Sequence, residues 1–265
     1  MRIANPQRWD LTLAEAEALQ RQLRGEVITA DDADFIEPRL VAGVDNSYVE
    51  ATGTTYGGVV VLSWPDLRVV EQQVSRTPTA FPYVPGLLSF REAPGILAAI
   101  RLLEHEPDLF IFDGQGIAHP RGLGLASHLG LVLDRPSIGC AKSLLVGRYT
   151  EPGPRQGDTS PLTYGGRTVG TVLRPATGRK ASRPAIASAC RARRASSPSA
   201  AAATSCPSRR AWPTTWSHRR AKGIKVGLTS VRVGRTRYSV VAHVRPFWLP
   251  TMFHPLWSMT TLVDS

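Results

Sequence analysis

The 265-residue chain divides into two parts of opposite charge, and residues 175–222 of the second part lack the apolar pattern that a folded core requires. Residues 1–158 contain 14 Lys and Arg and 20 Asp and Glu, which gives a net charge of −6. Residues 159–265 contain 18 Lys and Arg and a single acid, which gives a net charge of +17. The two values add up to the formal net charge of +11. The positive charge therefore belongs to the C-terminal part, and it does not by itself indicate a nucleic-acid-binding protein.

Within the basic part, residues 175–222 have the most unusual composition. These 48 residues contain no Asp, Glu, Leu, Val, Phe or Tyr, and they show neither helical nor strand periodicity. Such a segment cannot bury an apolar core. The expected organisation is a folded domain over residues 1–174, a low-complexity basic segment over 175–222 and an unassigned segment over 223–265. We expect the C-terminal part to be irregular or disordered.

The pattern in residues 1–174 alternates strands and helices and predicts an α/β fold. Amphipathic helices are predicted at 11–28, 89–105 and 124–133, with Ser89 and Glu92 at capping-box spacing in the second. Short apolar strands are predicted at 40–44, 109–112 and around 136–142. Two hairpins complete the pattern, one turning at Pro65-Asp66 and one at Gly165-Gly166.

Several classes of protein are disfavoured by the sequence. No run of 18 apolar residues is present, so a membrane protein is not expected. The segment MRIANPQRWD lacks the pattern of a secretory signal. The three cysteines have no metal-ligand spacing and form no disulfide framework. A cytoplasmic location is the default expectation.

Three acidic residues occupy comparable positions in the predicted fold. Asp45 is predicted to close the first strand, Asp113 closes the strand that follows the second helix, and Glu92 lies on that helix. Carboxylates from neighbouring strand ends can converge on a divalent cation, and hard oxygen ligands suit Mg²⁺ or Mn²⁺. Taken singly, each acid is better explained as a solvated loop or capping residue. The three acids together with the nearby His119 and Lys142 weaken that explanation without excluding it, and a cation held there could activate water for phosphodiester cleavage.

Four stretches carry a resemblance to a known family. VAGVDNSY, PYVPGLLSFREAPGIL, DGQGIAHPRGLGLASHLGLVLDRPSIGCAK and TVGTVLR resemble, in order and spacing, the motifs of endonuclease V, the deoxyinosine 3′-endonuclease. The resemblance covers about residues 5–174. It implies a ribonuclease H-like mixed sheet flanked by helices and Mg²⁺ dependence. It also implies hydrolysis of the second phosphodiester bond 3′ to a deoxyinosine, although some members of the family cut inosine-containing RNA.

The resemblance also implies roles for single residues. Asp45 and Asp113 match the metal-binding aspartates, and Glu92 matches the catalytic glutamate. His119 and Lys142 match residues near the scissile phosphate. His128 is expected to be structural.

Recognition of the damaged base is expected to involve the glycines and a proline-rich loop. Inosine differs from adenosine at its six position, and a backbone that approaches closely could read that edge at Gly86, Gly114 and Gly116. The base must first leave the stacked duplex. The segment Pro82, Tyr83, Val84 and Pro85 matches the wedge motif that fills the gap. The expected partner is DNA with deoxyinosine, or inosine-containing RNA, bound by a monomer.

After TVLR the resemblance stops. Members of the family continue with a Pro-containing strand, a Ser-Pro-Gly-His motif, a further helix and a terminal Tyr/Arg/Leu-Pro-rich segment, and none of these is visible here. We favour a frameshift near residues 174–180, in which case residues 175–222 would contribute no organised structure. A basic arm that grips DNA phosphates is the competing explanation. A catalytically impaired, nucleic-acid-binding remnant of the family therefore stands beside the active nuclease as an alternative.

Overall fold

The computed structural model describes residues 1–29, 37–155, 157–174, 185–192, 231–233 and 236–238. The remaining parts of the predicted segments 175–222 and 223–265 lie outside the described residues. Most of the described chain forms one mixed β-sheet with three α-helices. No helix in the described ranges has the length and apolar content needed to span a bilayer.

The helices are α1 (Leu13–Leu23), α2 (Leu88–Arg101) and α3 (Leu125–Leu133). A capping box begins α1, because the Thr12 hydroxyl accepts from the Glu15 backbone N–H and the Glu15 carboxylate accepts from the Thr12 N–H at 2.7 Å. The predicted capping box at Ser89 and Glu92 is wrong. Helix α2 begins one residue earlier, Leu87 caps it without a side-chain bond, and Ser89 is buried inside the helix.

Eleven strands are present in the described residues: β1 (Val27–Ile28), β2 (Leu40–Val49), β3 (Thr54–Ser63), β4 (Val69–Pro78), β5 (Leu109–Phe112), β6 (Ser137–Ala141), β7 (Thr159–Tyr164), β8 (Arg167–Leu173), β9 (Ala185–Ala192), β10 (Val231–Val233) and β11 (Thr236–Tyr238). The large sheet has the order β4-β3-β2-β5-β6-β9-β8-β7, and β1 pairs with β9. Strands β2, β5 and β6 are parallel, and the other pairs are antiparallel. Both predicted hairpins, β3–β4 and β7–β8, are confirmed.

The main core lies between the sheet and helices α2 and α3. Phe110 and Phe112 from β5 are fully buried there and stack with their ring centroids 5.9 Å apart. Ile96 and Ile100 of α2 and Leu129 of α3 pack into the same cluster. Because β5 is central and buried on both faces, its apolar run is continuous rather than alternating. This core holds the C-terminal end of β5 beside β2 and α2.

Strand β2 is longer than its apolar run indicates. The prediction that Asp45 closes the first strand is wrong, because β2 continues to Val49 in antiparallel pairing with β3. The parallel pairing with β5, however, stops at Val44 and Phe112. Asp45 therefore lies in mid-strand, at the point where its neighbouring strand ends.

The basic segment 175–222 contains one strand of the large sheet. Strand β9 lies between β6 and β8 and pairs with both, as well as with β1. The expectation that this segment adds no organised structure is therefore wrong for Ala185–Ala192. A sheet position is specified mainly by backbone hydrogen bonds, which the alternating Ala, Ser and Ile of this stretch can form without any of the missing residue types.

Candidate functional site

Two aspartates meet where β5 ends beside β2. The Asp113 N–H donates to the Val44 carbonyl at 3.0 Å, which continues the parallel ladder by one residue and places Asp113 next to Asp45. The Asn46 N–H donates to Asp45 Oδ1 at 2.7 Å and orients that carboxylate. The side chain of Asp113 is 16% exposed. The pairing of two strands thus brings together two acids that are 68 residues apart in sequence.

The third acid, Glu92, reaches the aspartates from α2. Its side chain is hydrogen-bonded by Asn46, the residue that follows Asp45. Its Oε2 atom is buried and has no hydrogen-bond partner among the described residues. A buried carboxylate oxygen without a partner is costly and rare, so this atom is a candidate ligand for a cation or a water.

The charges of the three acids act on one another. Burial, followed by the charge of Asp113, raises the pKa of Asp45 to about 6. Burial raises the pKa of Glu92 to about 7. The hydrogen bond from Asn46 opposes this shift, and the charges of Asp45 and Asp113 add to it. Carboxyls that disfavour one another's ionised form create a site that attracts a cation.

Lys142 supplies positive charge at this site. It follows β6, and its exposed ammonium group forms a salt bridge with Asp113 Oδ2. Burial of the ammonium would lower its pKa, but the bond to Asp113 and the charges of Asp113 and Asp45 raise it. Lys142 therefore stays protonated and lies within reach of an anion that approaches the three acids.

The residues suit a hard divalent cation, although they do not form a complete shell. Among the described residues, no three His, Cys, Asp or Glu side chains are close enough to enclose a metal ion by themselves. Mg²⁺ retains several waters and needs only one or two protein carboxylates. The paired carboxylates of Asp45 and Asp113 and the unpartnered Glu92 Oε2 provide such a donor set.

His119 lies apart from the acids and is tied to the backbone. It is buried, its Nδ1 accepts the Arg121 N–H at 3.1 Å, and its Nε2 is 3.0 Å from the Gly86 carbonyl, so the proton lies on Nε2. Burial, partly offset by the Gly86 bond, lowers the pKa of His119 to about 4. The imidazole is therefore neutral and connects the loop around Gly86 to the loop after β5.

The Gly86 carbonyl is the centre of a small hydrogen-bond network. Besides His119, it accepts from Arg121 Nη2 at 2.8 Å and from Gln20 Nε2 at 3.0 Å. Gly86 has a φ of 83°, and a Cβ at this position would lie 2.9 Å from Arg121 Nη2. The left-handed backbone conformation therefore favours glycine here, and a Cβ would also displace the Arg121 guanidinium from its bond to the Gly86 carbonyl.

The wedge loop, residues 82–85, precedes this anchor and projects from the protein. Tyr83 is 68% exposed, and Pro82 and Pro85 are exposed on either side of it. Val84 packs instead against the buried cluster that includes Phe81 and Leu87. The loop is thus fixed at its base while its aromatic ring remains free to contact another molecule.

The glycines after Asp113 lie against strand β6. A Cβ at Gly139 would be 2.4 Å from the Gly116 nitrogen and 2.7 Å from the Gly114 carbonyl oxygen. The loop 114–116 therefore passes directly over the β6 backbone, and Gln115 holds it there by donating to the Ser143 carbonyl at 2.8 Å. This close packing brings backbone groups of Gly114 and Gly116 next to Asp113.

Sequence reasoning missed four residues of the site. Gln20 and Arg121 anchor Gly86, Asn46 orients Asp45 and Glu92, and Arg91 lies 4.0 Å from the centre of the Tyr48 ring. Three of them adjoin residues that the motifs single out, so position alone could have indicated them. Gln20, on α1, is distant in sequence from every motif, and only the tertiary structure reveals its role. His128 is confirmed as structural, since it is fully buried and bonded to Ser89 and Gln7.

Comparison with known proteins gives a consistent result. The Endonuclease V family model matches residues 21–219. Endonuclease V of Nostoc punctiforme is 53% identical over 174 residues, which cover 65% of this chain and 77% of the relative. Endonuclease V of Alkalilimnicola ehrlichii is 52% identical over 166 residues, which cover 63% and 73%.

Solved structures agree. Endonuclease V of Streptomyces avermitilis has a TM-score of 0.63 at 39% identity and covers 71% of this chain and 81% of its own. Endonuclease V of Ciona intestinalis in complex with a 23mer DNA containing an inosine followed by a ribo-adenosine has a TM-score of 0.57 at 26% identity, covering 67% and 81%. The adjacent Asp45 and Asp113 and these similarities lead to one conclusion: the chain belongs to the endonuclease V family of nucleases and has its ribonuclease H-like fold.

Proposed function

We propose that this protein is a DNA repair endonuclease that recognises deoxyinosine and hydrolyses the second phosphodiester bond on its 3′ side. The observation that carries the proposal is the convergence of Asp45, Asp113 and the unpartnered Glu92 Oε2 at one sheet position. The Ciona intestinalis family member with inosine-containing DNA supports the choice of substrate.

In this proposal, Asp45 and Asp113 hold Mg²⁺, for which Mn²⁺ could substitute. The metal would activate a water and stabilise the leaving oxygen. Glu92, whose pKa is about 7, would accept the proton of the attacking water, because a general base works best when its pKa lies near the working pH. Lys142 would stabilise the negative charge that develops on the phosphate.

Base recognition would use the two loops on either side of the His119 connection. The backbone groups of Gly86, Gly114 and Gly116 would read the six position of an extruded hypoxanthine. Tyr83 would occupy the gap in the stack. His119 would then act on the substrate through Gly86, whose backbone it holds, as well as by its nearness to the phosphate. We further propose that the protein acts as a monomer in the cytoplasm.

A nicking assay with paired 5′-labelled duplexes, identical except for inosine or adenine, tests this function. We expect Mg²⁺-dependent cleavage of the inosine strand alone, at the second phosphodiester bond on the 3′ side of the inosine. The cleavage rate of an inosine-containing RNA of the same sequence, compared with that of the DNA, determines the preference for DNA or RNA. Equal cutting of inosine and adenine strands would overturn the assignment.

A second candidate function is a nucleic-acid-binding remnant of the family with little catalysis. The composition of residues 175–222, which lack every acidic residue, favours it. This candidate predicts tight binding to inosine-containing DNA without turnover. The same assay, combined with a binding measurement in Ca²⁺, separates the two functions.

A further inference from the structure

Two exposed tyrosines and a half-buried arginine form a stack between the wedge loop and α2. The Arg91 guanidinium carbon lies 4.0 Å from the centre of the Tyr48 ring and 5.9 Å from that of Tyr83. Both distances are within the range of cation–π attraction. Tyr48 is 39% exposed and Tyr83 is 68% exposed. Two aromatic rings with a planar cation between them are therefore accessible at the surface.

The charge of Arg91 favours the ionised form of the neighbouring Glu92 carboxyl, but Arg91 forms no salt bridge in the described part of the chain. Six other Arg and Lys side chains of that part do. The neighbouring Glu92 points instead to the aspartates. A half-buried guanidinium plane that is stacked on a ring and outside any salt bridge can still attract a phosphate or stack on a base.

The position of the stack suggests its ligand. Tyr48 lies two residues after Asn46, on the face of β2 from which Asn46 bonds Glu92. Arg91 precedes Glu92 on α2, so the stack runs from the wedge to Glu92. Under the proposed function, a strand whose base is extruded at Tyr83 would run past Arg91 and Tyr48 as it brings a later phosphate to the acids. Aromatic rings and guanidinium planes bind unpaired bases without regard to sequence.

We propose that Tyr48 and Arg91 form a nucleobase-stacking site for the nucleotide next to the extruded base, on the side of the cleaved bond. This inference rests on the proposed function, which supplies the extruded base. The site continues the surface of Tyr83 and sets the distance between the damaged base and the bond that is cut.

The test uses the full chain in EDTA, so that binding is measured without cleavage. The probe is a single-stranded oligonucleotide with 2-aminopurine immediately 3′ to the inosine, because stacking quenches its fluorescence. Tyr48→Leu should lower affinity on the order of tenfold and reduce the quenching, since it keeps apolar bulk but removes the ring. Tyr48→Phe keeps the ring and should behave as the unsubstituted protein.

Tyr164→Leu is the matched control, since Tyr164 is 42% exposed on the far edge of the sheet. It should change neither affinity nor quenching. If Tyr48→Leu binds and quenches as the unsubstituted protein does, the stacking site is refuted and the Tyr48–Arg91 contact is structural. Thermal unfolding of each variant shows whether a binding loss arises from misfolding. If Tyr48→Leu loses binding but the unsubstituted protein does not discriminate inosine from adenine, the stacking site stands and the proposed function fails.

Discussion

At the scale of single residues, the site is built from groups that are individually unfavourable. Glu92 keeps a buried oxygen without a partner, and Asp45 is partly buried beside the like charge of Asp113. Each arrangement costs free energy that a surface acid would not. Such costs are concentrated where a cation and a substrate are expected to restore the missing interactions.

Replacement of Asp113 should separate catalysis from binding. Asp113→Ala removes one of the two aspartate carboxylates and leaves Lys142 without its salt-bridge partner. We expect Mg²⁺-dependent nicking to fall by more than about a hundredfold, while affinity for inosine-containing DNA in Ca²⁺ is retained. Asp66→Ala, in the exposed β3–β4 turn, is the control. Substantial nicking by Asp113→Ala would refute its role as a metal ligand.

A second prediction at the scale of single residues concerns Tyr83 in the wedge loop. Tyr83→Ala should weaken discrimination for inosine in duplexes more than for inosine in single strands. A wedge is needed only where a stack must be held open, and unstacking costs on the order of a few kcal/mol. The ratio of nicking rates on the two substrates measures the effect. Equal losses on both would show that Tyr83 serves another purpose.

At the scale of elements, the helices are positioned by a few polar connections to the sheet. Ser89 of α2 and His128 of α3 join through a 2.9 Å hydrogen bond in the core. At the other end of α2, Glu71 of β4 accepts the N–H groups of Glu104 and His105 at 3.0 Å each. The first contact ties α2, which carries Glu92, to α3, and the second ties the loop that follows α2 to the sheet.

Glu71 makes this connection dependent on pH. Burial alone would raise its pKa, but hydrogen bonds from Gln73, His105 and Glu104 lower it to about 2. A carboxyl with a lowered pKa stabilises the fold above its unfolded pKa, and this contribution is lost as the pH falls through the folded value. The unfolding free energy lost in Glu71→Gln should thus be larger at pH 6 than at pH 3. Denaturant unfolding measures it, with Glu50→Gln as the exposed control. An equal loss at both values would contradict the connection.

At the scale of the whole molecule, the chain joins a family domain to a basic segment of a different kind. Only part of that segment is described, and there β9 completes the sheet between β6 and β8. Residues 193–265 carry twelve Lys and Arg against one acid, Asp264. Their charge would attract DNA of any sequence.

Truncation after Ala192 tests the effect of that charge and preserves β9. We expect weaker binding to undamaged DNA and a flatter dependence of affinity on salt, because fewer counterions are released. The affinity difference between inosine and adenine strands should widen. Titrations at several salt concentrations provide the measurement, and an unchanged salt slope would show that this charge does not face DNA.

The genetic code allows a sharper test of the frameshift hypothesis. If one base was lost, each original codon begins at the third base of a present codon. Its other two bases are the first two bases of the next present codon, which the next residue largely determines. Synonymous codons nevertheless exist for which residues 182–186 read Ser-Pro-Gly-His, the motif that the family places after TVLR. In the same frame, residues 203–211 can read Tyr-Leu-Leu-Pro-Glu-Pro-Thr-Arg, which resembles the terminal Leu-Pro-rich segment of the family. Both agree with the loss of one base between codons 174 and 182.

We therefore predict the bases at these codons. The Ser182 codon should end in T, the Arg183 codon should be CGC, the Pro184 codon should be CCG and the Ala185 codon should end in C. Restoring one base between codons 174 and 182 should yield a reframed chain with higher thermal stability and faster nicking. The reframed chain and the present chain are expressed side by side for this comparison. Any other base at these positions would end the frameshift hypothesis in favour of a basic arm.

The sequence by itself determined the family, the sheet-and-helix pattern of residues 1–174 and the identity of the three acids. Local patterns carry this information, because the apolar run of β5 and the motif around Asp113 are continuous in sequence. Only the tertiary structure decided that Asp45 lies in mid-strand, that Glu92 is buried and does not cap α2, and that Gln20 and His119 meet at Gly86. The position of β9 was likewise decided by pairing with β6 and β8. These features depend on contacts between residues far apart in the chain, and such contacts leave no periodic signal in the sequence.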